Sequence, residues 1–183
     1  MERTAILLTA VVSMALTAIM GFWMIPWLKK LKYGQTINEI GPRWHKGKEG
    51  TPTIGGLMFI IGSAAGLAVG YISLVLDAPQ FLGVQYYTEN VRLFAGFGAA
   101  LGFGLIGFID DYMKVVHTRN LGLTAKGKIV MQIVVAAAYL YVMDRYGGEG
   151  TAFKLPFIGV VEFGVWYYIL SVLAIIYFVN AVN

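Results

Sequence analysis

The sequence predicts an all-α integral membrane protein of about five transmembrane helices, and three observations carry that prediction. Of 183 residues, 58% are hydrophobic and only 13% charged, and the mean hydropathy is +0.69. A water-soluble domain of this length needs far more polar surface to cover its core. Second, uncharged stretches recur along the chain: Ala5–Leu28, Thr51–Leu76, Leu93–Ile109, Ile129–Met143 and Phe163–Asn183, of 24, 26, 17, 15 and 21 residues. A bilayer core of about 30 Å takes roughly 20 apolar residues in a helix. Third, 23 glycines are present and several lie inside these stretches, among them Gly62, Gly66 and Gly70. Small residues at that spacing let helices approach closely in lipid.

Taken in order, the spans are expected at about 5–28, 54–76, 92–110, 128–146 and 163–182, in a single transmembrane domain. The first is preceded by "MERT", which has no net charge, and its basic residues follow it in "WLKKLK". That order suits a retained helix with its N-terminus outside, and not a cleaved signal peptide. The second opens on the two glycines of "GTPTIGG". The third is at the lower limit of length. The fourth is short, but Lys128 and Arg145 flank it and can snorkel to the interfaces. The stretch "GGEGTAFKLPFIGVVEFG" before the fifth alternates Gly/Pro punctuation with β-prone runs and predicts a small periplasmic β-hairpin near 150–163.

Charge sets the orientation. Ten of the 14 basic residues fall in residues 29–50 and 110–128, while Arg3, Arg92, Arg145 and Lys154 share the other side. The positive-inside rule makes the two basic loops cytoplasmic. The net charge of +4 reflects this asymmetry and does not argue for nucleic acid. With no cysteine, disulfides and thiolate metal sites are excluded. Trp23, Trp27, Tyr86, Tyr87, Trp166, Tyr167 and Tyr168 sit near span ends, as interface belts do.

One short stretch breaks the apolar pattern. In "GFIDDYMKVV" the third span ends on Asp110 and Asp111, with Lys114 at i+4 and i+3. On a continuing helical turn the lysine neighbours both acids. One reading is a helix end in headgroup water with an ordinary ion pair. The other is functional: two adjacent carboxylates repel, and a divalent cation or a shared proton relieves them. Oxygen ligands at a membrane mouth suit Mg²⁺, which keeps several waters and is usually shared with phosphates. Ionisable groups at membrane depth point to function by default.

The other basic loop holds "HKGKEGTPTIGG", where Lys46, Lys48, Thr51 and Thr53 precede two glycines. Singly it reads as a polar loop capping a helix; beside the acid pair and Lys126 and Lys128 it reads as part of an anion site. Asn180 and Asn183 are three apart in the terminal "NAVN", either as interhelical amides or as ligand contacts. His45 and His117 lie among basic residues in loops and read as solvated.

In this order and at these positions, "GTPTIGG", "GFIDDYMKVV", "RNLGLTAKGK" and "NAVN" closely resemble the phospho-N-acetylmuramoyl-pentapeptide transferases, within the polyprenyl-phosphate N-acetylhexosamine-1-phosphate transferases. The departures are small, Ile54 for a usual Met and Gly127 for a usual Gln. The resemblance implies the N-terminal half of a roughly ten-helix bundle, multi-pass in the bacterial cytoplasmic membrane. It also implies a reaction: phospho-MurNAc-pentapeptide passes from its UDP carrier to undecaprenyl phosphate, giving lipid I and UMP, with Mg²⁺ as cofactor. Asp110 and Asp111 would be catalytic and hold the metal. Lys48, Thr53, Lys114, Lys126, Asn180 and Asn183 would contact phosphate or nucleotide.

The implied partners are undecaprenyl phosphate, the UDP-linked pentapeptide, the lipid bilayer and a second copy in a homodimer. A one-step and a phospho-enzyme route both stay open. The family's third aspartate and histidine-rich loop are expected beyond Asn183, so residues 1–183 alone are expected to be inactive. The alternatives are a related N-acetylglucosamine-1-phosphate transferase and a non-catalytic membrane protein. A transporter would place its acids deep within spans, whereas these sit at a mouth.

Overall fold

The structure is a computed structural model that describes residues 2–30, 54–116, 122–148 and 150–181. Five α-helices and one hairpin make up these residues: α1 (Glu2–Lys30), α2 (Gly56–Asp77), α3 (Tyr87–Val116), α4 (Ala125–Tyr146), strands β1 (Ala152–Leu155) and β2 (Gly159–Glu162), and α5 (Val165–Ala181). Helices α1 to α4 are long and apolar enough to cross a membrane, α3 together with the turn before it; α5 is a shorter apolar helix of 17 described residues. Large apolar side chains such as Phe22, Trp23 and Leu76 are about four-fifths exposed. A surface of that kind is tolerated in lipid and would drive association in water.

Two boundaries differ from the sequence reading. Ahead of the third span, expected from about residue 92, the chain is already structured: two 3₁₀ turns, Pro79–Leu82 and Val84–Tyr86, lead directly into α3. At its other end α3 does not stop at residue 110 but runs to Val116. Nothing between Ile109 and Val116 breaks a helix, since no Gly or Pro intervenes. The acid pair therefore sits on a helix that continues past it, as the spacing of Lys114 requires.

Contacts divide the chain into two units. In the first, residues 1–83 and 107–123, α1 and α2 pack as a tight antiparallel pair. Buried Gly62, Gly66 and Gly70, one turn apart, meet Thr17, Ser13 and Thr9 in the same order. A Cβ on Gly66 would lie 2.6 Å from the Thr9 carbonyl oxygen and 2.9 Å from the Ser13 nitrogen. The glycines are thus obligatory for this approach, as their spacing in the sequence suggests. Thr9 turns its hydroxyl back to the Ala5 carbonyl at 2.9 Å, so the contact strip carries no unsatisfied hydroxyl there.

The second unit comprises residues 84–106 and 124–183. Its core is a stripe on α4, Gln132, Ala136, Leu140 and Met143, all buried. Gly102 of α3 admits Val135 so closely that a Cβ would come within 2.9 Å of the valine methyl. At the far end of α4, Arg92 Nε donates to the Gly147 carbonyl at 2.8 Å, tying α3 to the α4 terminus. Tyr168 Oη donates to Asp144 at 2.6 Å between α5 and α4. The expected hairpin is present: β1 and β2 pair antiparallel with Phe153 opposite Val161 and Leu155 opposite Gly159.

Candidate active site

The acid pair lies on one face of the last turns of α3, and three elements converge on it. Lys114, one turn further along, puts Nζ 2.6 Å from Asp110 Oδ2 and 3.3 Å from Asp111 Oδ1. The remaining oxygens are taken by main-chain donors. Asp110 Oδ1 accepts the Leu123 N–H at 2.9 Å, and Asp111 Oδ2 accepts the Ile54 N–H at 3.2 Å.

Both donors hold the same place in their own elements. Ile54 immediately precedes Gly55, the N-cap of α2, and Leu123 immediately precedes Thr124, the N-cap of α4. Asp111 is thereby set at the N-terminal approach of α2, where free N–H groups and the helix dipole favour negative charge. Thr124 completes the start of α4 by accepting the Gly127 N–H at 3.2 Å. Ile54 has φ of +68°, a left-handed conformation that a β-branched residue rarely adopts. Its N–H is held on Asp111 despite that strain, which fits a backbone shaped by its site.

The side chains of Asp110, Asp111 and Lys114 are 13%, 33% and 28% exposed. They are half out of water but not sealed, as a site open to a ligand requires. The lysine supplies the positive charge that two adjacent carboxylates need at an apolar helix end. The donor set is chemically suited to Mg²⁺, since its oxygens are hard and the bridging ammonium marks a position where positive charge is favoured. Among the described residues no group of three or more His, Cys, Asp or Glu comes together. Two carboxylates would leave much of the ion's coordination to water and phosphate, which is how Mg²⁺ is commonly held.

The other expected site residues fare differently. Lys126 is exposed in the first turn of α4. Asn180 joins α5 to α4: its Nδ2 donates to Gln132 Oε1 at 2.8 Å and to the Ile176 carbonyl at 2.8 Å, while Gln132 Nε2 donates back at 3.3 Å. Of the two readings left open by the sequence, this contact is interhelical. Lys46, Lys48, Thr51, Thr53, Asn183, His45 and His117 lie outside the described residues.

Four contributors were not anticipated. Main-chain donors at Ile54 and Leu123 leave no side-chain signature. Gly122 packs against Asp110 but is one glycine in a Gly-containing loop. Gln132 had a signal: it is the one amide within the fourth uncharged stretch and demands a partner there.

Fold and site together define a polytopic membrane protein with a lysine-bridged carboxylate pair at the mouth of a spanning helix. Residues 93–183 match the glycosyl transferase family 4. It is similar along its length to phospho-N-acetylmuramoyl-pentapeptide-transferases: 40% identical to that of Desulfitobacterium hafniense over 97% of this chain and 49% of the relative. It is 39% identical to that of Desulforamulus reducens over the whole chain and 52% of the relative. With that of Halalkalibacterium halodurans it shares 36% identity over the whole chain and 53% of the relative. The chain spans about half the length of these curated relatives.

Proposed function

We propose that the gene product carrying this chain transfers phospho-MurNAc-pentapeptide from its UDP carrier to undecaprenyl phosphate. The products are lipid I and UMP, and the site faces the cytoplasm with the N-terminus of α1 outside. The observation that carries this reading is the Asp110–Lys114–Asp111 cluster at the end of an apolar helix, in a chain similar to transferases of that name. A lipid phosphate explains the placement. Its tail stays in the bilayer while its head reaches the mouth of α3, where charged groups are available. The positive-inside pattern of the basic loops supports the cytoplasmic side.

Phosphoryl transfer depends on positioning and on neutralising charge. Asp110 and Asp111 orient the lipid phosphate or take its proton, and the N–H groups of Leu123 and Ile54 keep their carboxylates fixed while they do so. Lys114 offsets the charge of the pair and is placed to meet a phosphate oxygen. Lys48, Thr53, Lys126 and Asn183 contact diphosphate or nucleotide, a role carried over from the family pattern. Asp110 and Asp111 would hold Mg²⁺, which supplies charge neutralisation at the diphosphate.

The test is release of UMP by the full gene product in detergent, given undecaprenyl phosphate, Mg²⁺ and one of two donors. Turnover with UDP-MurNAc-pentapeptide and none with UDP-N-acetylglucosamine is expected. Turnover with the second donor alone assigns the protein to the sister branch, and turnover with neither contradicts the proposal.

A further inference from the structure

We infer that Gly122 is a positioning residue for Asp110: its missing side chain is the space in which that carboxylate is held. The inference rests on the transferase reading, because it gives Asp110 a part in the chemistry. The geometry is specific. A Cβ built on Gly122 collides with Asp110 Oδ1, and lies 2.8 Å from both the Asp110 Cγ and the Asp110 carbonyl oxygen. No real Cβ makes such contacts, and the obstruction is on both sides of the problem. The carbonyl belongs to the α3 backbone and cannot turn away. The carboxyl is fixed at one oxygen by the Leu123 N–H at 2.9 Å and at the other by Lys114 at 2.6 Å.

Residue 122 is followed at once by that donor, so the glycine and the hydrogen bond form one device. Gly122 and Leu123 lie directly against Asp110, and only a residue without a side chain at position 122 lets the next N–H reach that carboxylate. The conformation of Gly122 itself is not in the left-handed region. The requirement is therefore for space and not for backbone freedom, which predicts that alanine fails as surely as larger residues, and by displacing the acid. Nearby Gly107, whose Cβ would meet nothing within 4 Å, carries no such demand among the described residues.

The experiment uses the full gene product and Gly122→Ala, with Asp110→Asn and the double variant. Displacing Asp110 by about 1 Å is expected to lower kcat on the order of a hundredfold. KM for the UDP-linked donor should stay within about threefold and the melting temperature close to the parent's. In the Asp110→Asn background, Gly122→Ala should lower the residual turnover by less than about threefold, since the group it displaces is already disabled. Parent-like turnover of Gly122→Ala overturns the inference, as does an undiminished hundredfold effect in the Asp110→Asn background. A fall in turnover explained wholly by lost folded protein overturns it too. Should the parent protein release no UMP from either donor, the transferase reading fails instead, and the two failures are told apart by that control.

Discussion

Gln132 and Asn180 give the sharpest test of how the second unit is held together. Gln132 is 1% exposed, and its side-chain amide exchanges two hydrogen bonds with Asn180, at 2.8 and 3.3 Å. Replacing Asn180 by leucine strands a buried amide, which costs about 1–3 kcal/mol in mutational series. Within membranes the measured coupling of such pairs is smaller, averaging about 0.6 and reaching about 1.7 kcal/mol. The lower exposure of Gln132 argues for the upper part of that range. Asn180→Leu and Gln132→Leu should each destabilise by about 1–2 kcal/mol. The double variant should cost less than the sum by about 1 kcal/mol, because neither amide is then left alone. The assay is reversible unfolding of the purified protein in mixed micelles by titration with a denaturing detergent, read by circular dichroism. Strictly additive losses would refute the reasoning, and Asn180 would then act elsewhere than on α4.

Two further outcomes follow from the packing and the charge pattern. Gly66→Leu should destabilise the protein by about 3 kcal/mol or more, because its Cβ alone already overlaps the α1 backbone, whereas Gly96→Ala, which meets nothing within 4 Å, should cost under about 1 kcal/mol; detergent unfolding midpoints compare the two. A cysteine in place of Gln80 should react with an impermeant thiol reagent on intact cells and one in place of Lys126 should not, this chain having no cysteine of its own; the reverse pattern would invert the orientation.

Much of this was legible in the residues. Uncharged runs of membrane length gave the helices, because lipid forces each backbone group to be satisfied within its own segment. The Gly62, Gly66 and Gly70 spacing announced a close helix contact, and the structure supplied the partner, a Thr/Ser strip on α1. The i,i+3 and i,i+4 spacing of Lys114 from the acids anticipated both ion pairs. The extent of α3 was legible only in part: a continuing turn through Lys114 was read, but the span was ended at residue 110 although nothing in Tyr112–Val116 breaks a helix. The main-chain donors to Asp110 and Asp111 were invisible for a different reason. They depend on where residues 13 and 57 positions away in sequence return to α3, and any residue but proline has an N–H to offer.

The central claim is that the carboxylate pair at the mouth of α3 carries the chemistry on the lipid phosphate. It is tested most directly by lipid I formation from a fluorescent UDP-linked pentapeptide and undecaprenyl phosphate, comparing the parent gene product with Asp111→Asn at matched folded concentration. The isosteric amide keeps the size of the side chain and can still accept the Ile54 N–H, but it loses the charge that Lys114 meets and that the proposed Mg²⁺ would meet. Lipid I should fall by at least about a hundredfold while the variant still inserts and melts like the parent. Formation within a few-fold of the parent would contradict the account.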